Sequence, residues 1–139
     1  ANKALFMKQP WTMTCSDGGL HPLEGGAAIH PRNFGAFARK IRKYVVEDKV
    51  VDLPTAIHSM SGLAAEVCHI EDRGFIRVGA FADILVFDPL EVKDRATFEQ
   101  PRQQSVGMQW VFVNGKAAIS HGQPTQAKAG IVLRHQPPD

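Results

Sequence analysis

The chain has 139 residues, of which 44% are hydrophobic and 22% are charged, and its formal net charge is +2. This composition excludes intrinsically disordered, collagen-like and coiled-coil proteins, and so small a charge does not indicate a nucleic-acid partner. No apolar run approaches the roughly 20 residues of a membrane span, so no membrane partner is expected. A complete (β/α)8 barrel needs about 250 residues, and the chain is therefore too short to contain one.

Two cysteines, Cys15 and Cys68, lie far apart without the C-x-x-C spacing of redox or metal motifs. We expect two buried thiols in a reducing, cytoplasmic compartment, and a disulfide is the less favoured alternative. The sequence begins without an initiator Met and without an apolar stretch long enough for a signal peptide. We interpret these features as those of an internal segment of a longer protein.

The beginning of the chain predicts one strand followed by a long loop. Residues 11–16 are β-favouring and are followed by Asp17-Gly18-Gly19, which predicts a short buried strand that runs into a turn. Residues 18–33 are rich in glycine and proline. A long irregular stretch of this kind in a compact domain is usually a functional loop.

Helices are predicted in the middle of the chain. Apolar residues recur at helical spacing from about Phe34 to Glu47, with Phe34, Phe37, Ile41, Tyr44 and Val45 on one face. The basic residues of this helix are predicted to form a solvent-exposed face rather than a nucleic-acid contact; they are Arg39, Lys40, Arg42 and Lys43. Asp52 is a favourable N-cap for a second helix, and a short third helix is predicted over residues 63–68.

The remainder of the chain predicts a small β unit. Its β-favouring runs cover residues 75–78, 84–87, 110–113, 117–119 and 130–134. Asn114-Gly115 separates two of them and is a strong hairpin signal. Residues 90–106 carry charges without a clean period, so we predict an extended excursion on the surface. A lone strand, then helices, then a β unit fits the end of an α/β barrel whose other strands lie upstream.

Two residues are candidates for chemistry. Asp17 follows a predicted buried strand, where barrel enzymes place catalytic groups, and could exchange a proton with metal-bound water. From the pattern alone, a turn aspartate that caps its own backbone is the favoured alternative. Arg32 has a planar guanidinium suited to a carboxylate, although an arginine entering a helix is often only solvated. His21 and His30 lack standard metal spacing and are more typical of surface or hydrogen-bonding histidines than of ligands.

Several motifs together resemble the C-terminal part of the amidohydrolase superfamily. They are Ser16-Asp17-Gly18, His30-Pro31-Arg32 with Phe34, Gly35 and Phe37, the run from Asp72-Arg73-Gly74 through Gly79 and Ala82-Asp83-Ile84 to Phe87-Asp88, and Val113-Asn114-Gly115 continuing to residues 130–134. Within the superfamily the chain is most similar to the N-acyl-D-amino-acid deacylases, or D-aminoacylases. The resemblance covers nearly the whole chain. Its Gly79–Asp88 part is shared across the superfamily, whereas Ser-Asp-Gly followed by His-Pro-Arg is more specific to the deacylases.

The resemblance implies an α/β fold followed by β structure. Residues 1–73 would supply the last strand, the active-site loop and the helices of an incomplete (β/α)8 barrel, and residues 74–139 part of a small antiparallel β-sandwich. In such an enzyme Asp17 activates a zinc-bound water and later protonates the leaving nitrogen, and Arg32 binds the substrate carboxylate. The zinc ligands are expected upstream, in the rest of the barrel, with no metal ligand in this segment. The loop between Asp17 and Arg32 is longer than in the family.

The resulting hypothesis is the C-terminal part of a zinc-dependent, cytoplasmic amidohydrolase that converts N-acyl-D-amino acids to a carboxylate and a D-amino acid. Its expected partners are this small-molecule substrate, the upstream barrel segment of the same protein and possible further copies in a homo-oligomer. The segment alone is expected to be inactive. One alternative is a non-catalytic β module that binds a partner or a second copy. The other is a cyclic-amide hydrolase of the hydantoinase or dihydroorotase type.

Overall fold

A computed structural model describes residues 2–26 and 28–134 of the chain. In chain order its elements are α1 (Asn2–Met7), α2 (Arg32–Arg39), a π-helical segment (Lys40–Glu47), α3 (Leu53–Met60), α4 (Gly62–Val67), β1 (Ile84–Phe87), β2 (Met108–Val113), β3 (Lys116–Ser120) and β4 (Gln123–Pro124). No helix in these ranges combines the length and the apolar character needed to cross a membrane.

The predicted helices are present. α2 and the π-helical segment follow each other without a break, so they cover the predicted helix and begin two residues before Phe34. Asp52 caps α3, because its side chain accepts the backbone N–H of Thr55 at 2.9 Å. α4 forms a separate short helix after Ser61. Phe37 belongs to the predicted apolar face of this helix, but 43% of it is exposed.

The sheet is antiparallel, with strand order β1-β2-β3-β4. The hairpin prediction is confirmed: Asn114 and Gly115 both have positive φ, +48° and +77°, and join β2 to β3. Positive φ at both central residues is the condition for the tight turn that matches the twist of the flanking strands. The predicted strand at 84–87 is also confirmed as β1, which pairs with β2.

Three predicted strands are absent from the described residues. Residues 11–16, 75–78 and 130–134 lie outside the sheet, whose fourth strand is instead Gln123–Pro124. The physical reason is that a strand needs a neighbour for its backbone hydrogen bonds, which β propensity alone does not supply. The described residues make one sheet, so the second layer of a β-sandwich is not formed by them. The boundary at residues 73 and 74 stays a prediction, and residues 1, 27 and 135–139 lie outside the described ranges.

The core joins the helices to the sheet. Ala38, Ile41 and Val92 are buried together, and Leu53, Ile57, Met60, Phe87 and Met108 pack against them. Val92 is 0% exposed although it lies in the predicted surface excursion. An isolated bridge between Lys93 and Val106 folds that segment back on itself. The excursion therefore contributes a central core residue and is not confined to the surface.

Much apolar surface stays exposed outside this core. Large hydrophobic side chains with more than two thirds of their surface exposed include Trp11, Leu20, Ile76, Val78, Phe98 and Val132. Cys15 and Cys68 are exposed as well, which corrects the expectation of buried thiols, and among the described residues no disulfide joins them. Exposed apolar surface on this scale is typical of regions that contact other protein segments.

Candidate functional site

The structure brings Asp17 and Arg32 into direct contact. Arg32 Nη2 lies 2.7 Å from Asp17 Oδ2, and Arg32 Nε donates to the backbone carbonyl of Asp17 at 2.9 Å. These contacts close the long loop between the two residues. The side chains are 43% exposed for Arg32 and 78% exposed for Asp17. A pair this exposed contributes less than about 1 kcal/mol, so Arg32 can exchange Asp17 for another carboxylate at little cost.

The backbone at Asp17 has a φ of +48°, a left-handed conformation that aspartate tolerates better than most residues. Local contacts support it: the N–H of Asp17 donates to Cys15 Sγ, and the N–H of Gly18 donates to Ser16 Oγ, each at 3.3 Å. The carboxylate itself lies beside Arg32. Asp17 thus combines a left-handed backbone with a side chain that is paired to Arg32.

Burial alternates along residues 11–17 with a period of two. The half-buried set is Thr12, Thr14 and Ser16, and the exposed set is Trp11, Met13, Cys15 and Asp17. This period is that of an extended backbone, whose side chains point to opposite faces in turn. The half-buried face packs on the helices, where the N–H of Thr14 donates to the carbonyl of Ser59 at 2.8 Å. Asp17 follows this extended run and is exposed, like the largely apolar face that carries Trp11, Met13 and Cys15.

His30, just before α2, and Asn33, in its first turn, fix the helix end that carries Arg32. His30 Nδ1 accepts the backbone N–H of Arg32 at 3.0 Å, and the side chain of Asn33 donates to the carbonyl of His30 at 2.8 Å. Asn33 Oδ1 also accepts the N–H of Gly19 at 2.7 Å, which ties the loop back to the helix. His30 is thus a hydrogen-bonding histidine, as its spacing favours. The sequence did not single out Asn33, and only its place in the first helical turn could have indicated a role.

Lys40 corrects the prediction of a solvent-exposed basic face. It is 5% exposed, and its ammonium donates to Thr14 Oγ1 and to Ser59 Oγ, each at 2.6 Å. Burial lowers the pKa of Lys40 because the charged form loses hydration. The other basic residues of the helix pair with carboxylates at the surface; they are Arg39, Arg42 and Lys43. The helical spacing of the sequence does not distinguish the buried Lys40 from these three surface residues.

The described part of the chain does not fit a metal ion by its own side chains. Within residues 2–26 and 28–134, no group of three or more His, Cys, Asp or Glu side chains is arranged to hold one. What these residues offer is a carboxylate able to accept and return a proton, next to a guanidinium able to bind a carboxylate.

A sequence profile of the amidohydrolase family matches residues 5–119. The chain is 43% identical over 131 residues to an N-acyl-D-aspartate deacylase from Alcaligenes xylosoxydans xylosoxydans, covering 92% of this chain and 25% of that protein. It is 40% identical over 122 residues to an N-acyl-D-glutamate deacylase from the same organism, covering 88% of this chain and 24% of that protein.

The solved structures agree with the sequence relatives. The crystal structure of N-acyl-D-glutamate deacylase from Bordetella bronchiseptica, complexed with zinc and a phosphonate inhibitor that mimics the tetrahedral intermediate, superposes with a TM-score of 0.75 at 38% identity. The match covers 92% of this chain and 27% of that one. The chain thus spans about a quarter of the length of the proteins that it matches.

Proposed function

This chain belongs to the amidohydrolase family, and we propose that it forms the C-terminal part of a zinc-dependent enzyme that hydrolyses N-acyl-D-amino acids. The observation that carries the proposal is the contact between Asp17 and Arg32, because it puts a proton acceptor beside a carboxylate-binding group. The similar proteins are deacylases of N-acyl-D-aspartate and N-acyl-D-glutamate, which supports this substrate class.

In the proposed reaction Asp17 acts as general base and then as general acid. It accepts a proton from the attacking water, whose oxygen adds to the acyl carbonyl carbon. The C–N bond then breaks, and Asp17 returns the proton to the departing nitrogen. The products are a carboxylate and a D-amino acid.

Arg32 binds the carboxylate of the amino-acid portion of the substrate. In the structure its Nε and Nη2 contact Asp17, so the substrate carboxylate has to replace Asp17 at the guanidinium. This exchange costs little because the pair is exposed. It also frees the Asp17 carboxylate for the proton transfer at the moment when substrate is bound.

The remaining parts of the catalytic machinery are placed outside this chain. Zinc is bound in the Bordetella bronchiseptica relative, and we propose that the zinc ligands of this enzyme lie in the upstream barrel. The open face of residues 11–17, which exposes Trp11 and Met13 beside Asp17, supports a packed barrel on that side. Residues 1–73 would then complete the barrel, and residues 74–139 would contribute to the β-sandwich.

The proposal is tested on the full-length parent with N-acetyl-D-aspartate, N-acetyl-D-glutamate and neutral N-acetyl-D-amino acids as substrates. Asp17→Asn is expected to lower kcat by about 100- to 10,000-fold with zinc content unchanged, since the amide cannot accept the proton. Asp48→Asn is the matched control, because Asp48 also forms an exposed ion pair, with Lys43 at 3.1 Å. Near-normal turnover in Asp17→Asn would exclude the catalytic role.

The same assay separates the alternatives. Hydrolysis of a cyclic amide such as dihydroorotate, without hydrolysis of N-acyl-D-amino acids, would assign the cyclic-amide reaction instead. A parent without either activity that self-associates through the β unit would assign the non-catalytic module. The isolated chain is expected to hydrolyse none of these substrates.

A further inference from the structure

One continuous helix contacts the Asp17 segment at two places. α2 begins at Arg32, which contacts Asp17, and its π-helical continuation begins at Lys40, which contacts Thr14. The two contacts bracket Cys15 and Ser16.

The Lys40 contact is fixed from the helix side as well. Ser59 of α3 accepts from Lys40 at 2.6 Å through Oγ, donates to the carbonyl of Ala56 at 2.8 Å and is itself 5% exposed. Its backbone carbonyl accepts the N–H of Thr14 at 2.8 Å. Thr14 is therefore held through both its backbone and its side chain. Thr14 Oγ1 and Ser59 Oγ also lie 3.4 Å apart, and Lys40 links both residues to the helix of Arg32.

A contribution to folding stability does not explain why a lysine is buried at position 40. The acceptors described for its ammonium are two neutral hydroxyls, and burying a charge without an opposite charge costs folding free energy. An unbranched apolar side chain of similar length would fill the same space without that cost. The ammonium makes directional hydrogen bonds, and these fix the hydroxyl oxygens of Thr14 and Ser59 relative to the helix of Lys40.

We propose that Lys40 is a positioning residue that, through Thr14, sets the place of the Asp17 carboxylate relative to Arg32. It is not a catalytic residue, because it is 5% exposed and its described contacts are the hydroxyls of Thr14 and Ser59. The inference rests on the proposed function, since it assigns a role in the reaction of Asp17. A displacement of a reacting group by about 1 Å costs on the order of 100-fold in rate.

The test uses the full-length enzyme with zinc bound and an N-acetyl-D-amino acid as substrate. Lys40→Met removes the donors, and Thr14→Val removes the acceptor with little change of shape. Each is expected to lower kcat by about 10- to 100-fold, with KM within about threefold because Arg32 keeps its own contacts. The double variant is expected to be no slower than the slower single variant, since both changes remove the same contact.

Two further variants separate positioning from a merely structural role. Thr14→Ser keeps the hydroxyl and is expected to restore kcat to within about threefold of the wild type. Lys43→Met removes an exposed lysine of the same helix and is expected to leave kcat unchanged. Thermal midpoints are measured for every variant. A lower midpoint with an unchanged kcat of the folded enzyme would overturn the proposal, as would a Thr14→Val variant as active as Thr14→Ser.

The design distinguishes the failure of this inference from that of the proposed function. If Asp17→Asn abolishes turnover while Lys40→Met and Thr14→Val keep normal kcat, only the role of Lys40 is refuted. If the wild-type parent does not hydrolyse N-acyl-D-amino acids, or Asp17→Asn stays active, both are refuted. Should Lys40→Met fail to fold, the comparison of Thr14→Val with Thr14→Ser decides the question alone.

Discussion

Gly107 is the position where the structure predicts the largest effect of a single methyl group. Its φ is +94°, and a Cβ there would lie 2.4 Å from the carbonyl oxygen of Glu91 and 2.6 Å from Cα of Val92. Both are backbone atoms, which cannot rotate away as a side chain can. Gly107→Ala therefore has to move either the start of β2 or the segment that buries Val92.

Gly79 provides a matched control, because its φ is +91° and nothing lies within 4 Å of the position of its Cβ. Gly79→Ala is expected to cost about 1–2 kcal/mol for the left-handed backbone alone. Gly107→Ala adds an overpacking cost of about 1–3 kcal/mol, for a total of about 2–5 kcal/mol. The difference of about 2 kcal/mol corresponds to about 30-fold in the unfolding equilibrium constant.

Urea denaturation of the 139-residue chain, followed by tryptophan fluorescence, measures both variants. Trp110 lies in β2 and stacks on Phe112 at a centroid distance of 5.8 Å, so its emission reports the sheet next to Gly107. Equal loss of unfolding free energy in Gly107→Ala and Gly79→Ala would refute the close approach of Gly107 to Glu91. A Gly107→Ala variant as stable as the wild type would refute the strained φ as well.

Two further predictions concern the turn of the hairpin. Asn114→Ala removes the hydrogen bonds of the Asn114 side chain with Arg73 at 2.6 Å and with the carbonyl of Ala129 at 2.7 Å. Alanine must also adopt the positive φ of this position. We therefore expect urea denaturation to show a loss of about 3 kcal/mol in the free energy of unfolding. Asn114→Gly keeps the conformational freedom and should lose less; an equal loss in both would show that φ contributes nothing. Burial opposes the ionisation of Asp83, but the N–H of Asn114 and the guanidinium of Arg73 outweigh it and hold the pKa of Asp83 below its ordinary value. Ionised Asp83 therefore stabilises the fold above about pH 4, and this contribution is lost as the pH falls through the lowered pKa. Asp83→Asn should flatten the fall of the urea midpoint below about pH 4, and an unchanged slope would contradict this assignment.

The sequence by itself determined the hairpin turn and the start of α3, because each depends on residues that are neighbours along the chain. Asn114-Gly115 tolerates the positive φ of a tight hairpin turn, and Asp52 has the side chain that accepts an N–H of the first turn of α3. The same holds for Asp17 and Arg32 as candidates, because a carboxylate after an apolar run and an arginine at a helix start are visible in order along the chain. Their roles stay a proposal.

Only the tertiary structure decided what depends on partners far away in sequence. The run at residues 11–16 has β propensity but acquires no neighbouring strand in the described residues, and its backbone contact goes to Ser59 instead. Val92 lies in a segment without periodicity, yet the fold places it at the centre of the core.

The burial of Lys40 is the clearest case of a feature that depends on partners far away in sequence. Helical spacing grouped it with three surface basic residues, whereas the fold buries it against hydroxyls from residues 14 and 59. The contact of Arg32 with Asp17 likewise depends on how the loop closes. Sequence patterns record which side chains favour a helix, a turn or burial, but the energy of a buried charge or an ion pair depends on the distance to groups that only folding brings together.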